Sequence, residues 1–200
     1  MPTKLILIRH GQTSWNRNKK YCGAKDIGLD ATGKAQAKKL CRVLKLQQVH
    51  KIYASSKKRA LQTARLAFGS ADIEKITGLR EIHFGVFEGL THAQIMQKYP
   101  LAYKKWLHNP FSITIPKGES LSGFRSRIVN AIKKIVTLNK GKTVAIVCHG
   151  GAISIFLNHI LKSRNFWQHV PSSASISVIE YRSGKPRVKL FNDTAHLKEK

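Results

Sequence analysis

Two short apolar runs in this chain end in the same way, and that coincidence constrains its fold more than any other feature of the sequence. Residues 4–8 read Lys-Leu-Ile-Leu-Ile and run into Arg9-His10-Gly11, while residues 143–148 read Thr-Val-Ala-Ile-Val-Cys and run into His149-Gly150-Gly151. Short, unbroken apolar runs stopped by a glycine turn fit strands that are buried on both faces. Such strands belong to parallel sheets covered by helices, where ligands collect beyond the carboxyl ends of the strands. Two parallel strands would therefore deliver both histidines to one edge of one sheet. One such histidine alone would be read as an ordinary hydrogen-bonded loop residue; the pair points to a pocket.

The rest of the chain fits that frame. Thr32 is placed to cap a helix running to about Leu46, with Ala35, Leu40, Val43 and Leu44 on its apolar face. Residues 50–54 read as a second strand and 57–68 as a second helix. Residues 175–181 alternate like a strand with one exposed face, and 186–191 could pair with it. Strands separated by helices predict an α/β fold, a three-layer α/β/α sandwich with a mostly parallel central sheet. Residues 91–109 look helical with a break at Pro100, where proline cannot continue a helix. Residues 91–120 are expected to form a helical and loop insertion over the active site, a natural lid. The whole chain, 1–200, reads as one domain. The apolar stretch Ile176–Ile179 is a candidate edge for pairing in a homodimer, and the end Lys198-Glu199-Lys200 is expected to fray.

Composition removes several classes of function. The hydrophobic share is 42 %, ordinary for a globular protein and too high for a disordered one. No stretch approaches the roughly 20 apolar residues of a membrane span. Three scattered cysteines, Cys22, Cys41 and Cys148, suit a reducing cytosol rather than a disulfide framework. The nine histidines include no HExxH or similar ligand set, so neither a metal nor another cofactor is expected. Thirty-six basic against ten acidic residues give a net charge of +26. That excess allows nucleic-acid or other polyanion binding. The cations are spread along the chain, however, and no nucleic-acid motif accompanies them, so a lysine-solvated surface is the favoured reading.

Charged residues near the two histidines suggest phosphate chemistry. Arginine offers bidentate donors to phosphate; Arg9 precedes His10, and Arg59 opens the helix after the second strand, at an end that favours anions. Phosphoryl transfer also needs a proton for the leaving oxygen. Glu81, in an apolar setting before Gly85, could supply it if its pKa were raised. Glu88 is the rival carboxylate, and spacing alone does not separate the two. Cys148 makes a poor dyad with His149, because adjacent strand residues point to opposite faces.

Taken in order, Arg9-His10-Gly11, Asn16, Cys22-Gly23, Leu29 to Gly33, Arg59 with Gln62-Thr63-Ala64, Glu81 with Phe84-Gly85, Glu88-Gly89, Gly118-Glu119-Ser120 and His149-Gly150-Gly151 resemble the histidine phosphatase superfamily, which includes phosphoglycerate mutases. The resemblance runs from Leu5 to about Ile155. It implies a metal-free reaction in which His10 becomes phosphohistidine. Arg9, Arg59 and His149 would hold the phosphoryl oxygens, and Glu81 would act as acid and then base. Gly11, Thr13, Asn16, Gly23 and Gly150 would surround the phosphoryl group or substrate. The mutases carry Glu-Arg-His-Tyr where this chain has Glu81-Ile82-His83-Phe84, which favours a phosphatase acting on a small phosphorylated metabolite. Within the family, residues 79–89 and 116–120 are most similar to the α-ribazole phosphatase branch.

Overall fold

The computed structural model describes residues 1–163 and 165–198. Six strands form one sheet: β1 (Thr3–Arg9), β2 (Lys51–Ser55), β3 (Ile73–Ile76), β4 (Thr143–Cys148), β5 (Ile176–Arg182) and β6 (Lys185–Asp193). Their spatial order is β3-β2-β4-β1-β5-β6. The first four are mutually parallel, and β5 and β6 join antiparallel. The expected α/β architecture with a mostly parallel sheet is therefore observed.

Alternation along the strands explains why the apolar runs are unbroken. On β1, Leu5 and Leu7 face one apolar cluster while Ile6 and Ile8 face the other. On β4, Val144, Ile146 and Cys148 go with the first, Ala145 and Val147 with the second. The first cluster takes the buried sides of α6 (Leu121–Leu138) and α7 (Gly150–Leu161); the second takes α2 (Ala31–Lys45) and α3 (Lys58–Phe68). Ala60, Ala64 and Ala67 on α3 face Ala54 and Ala145 within that second cluster, so small residues meet small residues and the helix can lie close to the strands. The short α8 (Ala195–Lys198) meets the same side, with Leu197 packed against this cluster. Lys198 closes this helix, whereas Glu199 and Lys200 lie outside the described residues.

Several local expectations change. Helix α2 is capped by Asp30, whose carboxylate accepts from the Gly33 N–H at 2.8 Å, not by Thr32. The earlier cap rotates the buried face to Gly33, Ala37, Leu40 and Leu44, and leaves Ala35 exposed. Pro100 does break the middle helix: α4 (His92–Lys98) stops and α5 (Pro100–His108) restarts on the proline. Between β1 and α2 lies α1 (Ser14–Arg17), a single capped turn. The stretch Ile176–Ile179 is not a sheet edge, since β5 pairs with β1 on one side and β6 on the other. The edge strands are β3 and β6, so β5 is not available for pairing in a homodimer. Among the described residues no helix is long and apolar enough to cross a membrane.

The loop after β1 sits directly on the start of α2. A Cβ on Gly33 would lie 2.0 Å from the Gln12 carbonyl oxygen, and one on Gly11 would lie 2.5 Å from that of Gly33. Helix propensity alone favours alanine over glycine by about 1 kcal/mol. Here Gly33→Ala should instead lower stability and displace the loop carrying His10, while Thr32→Ala on the exposed side should be neutral or better. Urea unfolding of the two variants checks this; a Gly33→Ala protein as stable as its parent would refute the close-approach argument.

Candidate active site

The parallel register of β1 and β4 sets the site. Arg9 lies opposite Cys148, so the next residue on each strand, His10 and His149, come side by side. The His10 N–H donates to the Cys148 carbonyl at 3.0 Å, and the two imidazole centres are 5.2 Å apart, edge to face. Both rings are buried. The sheet thus brings together the two histidines that the sequence placed at separate strand ends.

Hydrogen bonds fix the tautomer of each ring. His10 Nδ1 lies 2.7 Å from the Gly11 carbonyl oxygen, which can only accept. Nδ1 therefore carries the proton and the Nε2 lone pair is free. Burial, followed by the charges of Arg59 and Arg9, holds the His10 pKa well below the ordinary histidine value, so the ring is neutral at pH 7. His149 has the opposite tautomer. Its Nδ1 accepts from Arg59 Nε at 3.2 Å, which leaves Nε2–H to donate to Ser55 Oγ at 2.8 Å. Burial, then Arg59, also depresses its pKa.

Arg59 is fully buried at the start of α3, the position the sequence suggested. Its Nη1 donates to the Lys25 carbonyl and its Nη2 to the Gly23 carbonyl, each at 3.0 Å. These bonds fix the guanidinium plane without neutralising its charge. Arg9 Nη1 donates to the Pro171 carbonyl, while its Nε is buried without a partner. Gly150 makes room for this side chain: a Cβ there would lie 3.2 Å from Arg9 Cζ.

The structure separates the two carboxylates. Glu81 lines the cleft that Arg9 and His10 also line, and accepts from the N–H of Gly151 at 2.8 Å and of Ile82 at 3.1 Å. Enclosure by protein raises its pKa above the usual carboxylate value, the two N–H groups partly opposing that. A Cβ on Gly151 would lie 2.5 Å from Glu81 Oε1, so only glycine leaves space for the carboxylate. Glu88 has another task. It accepts from the N–H groups of Gly23, Ala24, Lys25 and Phe84, and so ties down the loop whose carbonyls hold Arg59.

The remaining expected residues divide by position. Asn16 and Gly150 line the cleft. Thr13 does not: it is fully buried, and its backbone and hydroxyl join Asn16 in the box that caps α1. The Gly11 N–H donates to Thr63 Oγ1 and the Gly23 N–H to Glu88, so both glycines shape the backbone behind the cleft. Residues 91–120 contribute none of the described lining, whose outer walls are Lys19 to Cys22 and Phe166 to Val170. Sequence reasoning missed these walls and Ser55. Ser55 was within reach, since it ends β2 on the same sheet edge; the walls gave no local signal. Among the described residues no cluster of three His, Cys, Asp or Glu could hold a metal.

The comparisons with known proteins agree with this geometry. The histidine phosphatase superfamily (branch 1) matches residues 5–194. Among solved structures, YhfR of Bacillus stearothermophilus is 31 % identical with a TM-score of 0.92, covering 98 % of this chain and 100 % of that one. A phosphoserine phosphatase of Entamoeba histolytica, in complex with 3-phosphoglyceric acid, is 31 % identical with a TM-score of 0.89, covering 98 % and 99 %. The α-ribazole phosphatase of Shigella flexneri is 26 % identical with a TM-score of 0.86, covering 95 % and 96 %. A chain matched over nearly its whole length, with two histidines and two arginines gathered at the ends of its parallel strands, belongs to branch 1 of the histidine phosphatase superfamily and is a phosphatase of that type.

Proposed function

We propose that the protein is a metal-independent phosphomonoesterase that hydrolyses a small phosphorylated metabolite through phosphohistidine at His10. The observation that carries this reading is the tautomer of His10: a neutral ring with Nδ1–H held by Gly11 and a free Nε2 lone pair, within the field of the buried Arg59 and the cleft-lining Arg9. In the first half-reaction Nε2 attacks phosphorus as the P–O bond to the alcohol breaks, and the Glu81 proton goes to the leaving oxygen. In the second, water attacks the same phosphorus, its proton returns to Glu81, and the P–N bond breaks to release inorganic phosphate. Arg9 and Arg59 stabilise the phosphoryl oxygens where charge is greatest.

His149 supports this from the side. With Nδ1 taken by Arg59 and Nε2 by Ser55, it holds the guanidinium in place from behind the cleft lining. Hydrolysis is favoured over mutase chemistry because Ile82 is fully buried and Phe84 has no hydroxyl, so neither offers a polar contact to a second acidic group. α-Ribazole 5'-phosphate and phosphoserine are the two candidate substrates that the relatives' names supply.

His10→Ala should abolish turnover of an aryl phosphate in the presence of EDTA, by at least about 10³-fold, since loss of a nucleophile removes the covalent route. Turnover that persists in this variant, or that EDTA removes from the wild type, would defeat the proposal.

The pH dependence is a second check. Attack needs neutral His10, so kcat/KM should fall as pH drops through its depressed pKa, below 6.5. Acid catalysis needs protonated Glu81, so the rate should also fall as pH rises through its raised pKa, above 4.5. Glu81→Gln keeps an acceptor for Gly151 and should remove the alkaline limb. It should cost about 10²- to 10⁴-fold on an alkyl phosphate and far less on a nitrophenyl phosphate, whose leaving group needs no proton.

A further inference from the structure

The cleft beside His10 is lined by side chains of two unlike kinds. One wall is aromatic and aliphatic: Tyr21, Phe84, Phe166, Trp167 and Val170 all line it. Trp167 is 37 % exposed, although its ring is braced edge-on by Trp106 at 5.9 Å and by Phe166 at 4.9 Å. A large ring left open to solvent yet held by two others is a preformed apolar surface facing the cleft. Tyr21 and Phe84, 4.9 Å apart and perpendicular, form its continuation. The lining also holds three cations, Arg9, Lys19 and Lys20. Among the described lining residues Glu81 is the only carboxylate; it already accepts from two N–H groups and is the group assigned to carry the proton of the leaving oxygen.

From this arrangement we infer that the preferred substrate is a phosphomonoester whose alcohol half carries a flat apolar ring and no ammonium group. This deepens the proposed phosphatase reading and rests on it. A ring seated against Trp167 would be removed from water and make the offset or edge contacts that aromatic pairs favour. The ammonium of a phosphorylated amino acid would instead enter a space containing Arg9, Lys19 and Lys20 with no free carboxylate to receive it, and an unpaired charge there is unfavourable. The wall therefore separates the two candidate substrates: it suits a phosphate attached to a ring-bearing alcohol such as a nucleoside-like one, and disfavours phosphoserine.

Binding of non-hydrolysable phosphonates tests the inference without depending on turnover. By calorimetry on the wild-type protein, benzylphosphonate should bind roughly ten-fold or more tightly than methylphosphonate, the scale expected of one added apolar contact surface. 2-Aminoethylphosphonate should bind more weakly than propylphosphonate. Trp167→Ala should remove most of the benzyl advantage, and Trp167→Phe should keep much of it. Far-UV circular dichroism and a thermal midpoint like the wild type's show that both variants are folded, and glycerol phosphate turnover by the wild type reports the proposed activity separately. Equal binding of benzyl- and methylphosphonate, tighter binding of the amino compound, or a benzyl advantage that survives Trp167→Ala would each overturn the inference. Loss of glycerol phosphate turnover in the wild type would count against the phosphatase reading instead, leaving the binding comparison to decide this one.

Discussion

A buried guanidinium with no carboxylate among its described hydrogen-bond partners is the constraint around which this molecule is arranged. Arg59 is taken out of water and given two carbonyls and one imidazole as hydrogen-bond partners, yet none of these cancels its charge. Burying an unpaired cation is unfavourable by several kcal/mol in the absence of compensation. The structure meets that demand with orientation rather than neutralisation. Glu88 holds the loop that supplies the carbonyls, Ser55 holds the imidazole, and α3 brings the side chain in from the end of a helix whose dipole repels it. The result is a pocket in which no carboxylate is hydrogen-bonded to Arg59 among the described residues, a setting suited to receiving a phosphoryl group.

The same field acts on the groups around it. It keeps His10 neutral, with burial as the larger cause, and it works against the rise in the Glu81 pKa without reversing it. A histidine held neutral and a glutamate that keeps its proton to higher pH than usual thus share one cleft. Their environments push the two pKa values in opposite directions from their ordinary order, the pattern expected where acid and base roles are divided. A bound phosphate dianion would strengthen the second effect by raising the Glu81 pKa further.

Much of this was legible in the sequence because strand ends carry position as well as composition. His10, His149 and Arg59 could be placed on one edge from three short runs, and the parallel register then made the histidines neighbours. The choice between Glu81 and Glu88 was not legible, because it depends on which backbone N–H groups each carboxylate meets across more than 60 residues of chain. The cap role of Thr13 was hidden for a similar reason: a hydroxyl next to the His10 turn reads as a ligand contact until its partner in a helix cap is seen. The aromatic wall was invisible, since Tyr21, Phe84 and Trp167 are far apart in sequence and meet only through tertiary packing. The α2 cap failed on a local competition, with Asp30 preceding Thr32 by two residues and taking the role first.

The middle of the chain has a consequence of another kind. Residues 91–120 do not line the cleft, but they carry one of its walls. Tyr21 exchanges backbone hydrogen bonds with Leu90 and Gly89, Lys20 bridges to Thr91, and the Tyr21 hydroxyl meets that of Tyr103 at 2.8 Å, which in turn meets His92. Phe84 leans on Trp106 from the same segment. Changes in α4 and α5 would thus reach the cleft as small displacements of Tyr21 and Phe84, with the strand ends that carry His10 and His149 left in place. In such an arrangement α4 and α5 shape one side of the cleft from behind, while His10 and His149 stay anchored to the sheet.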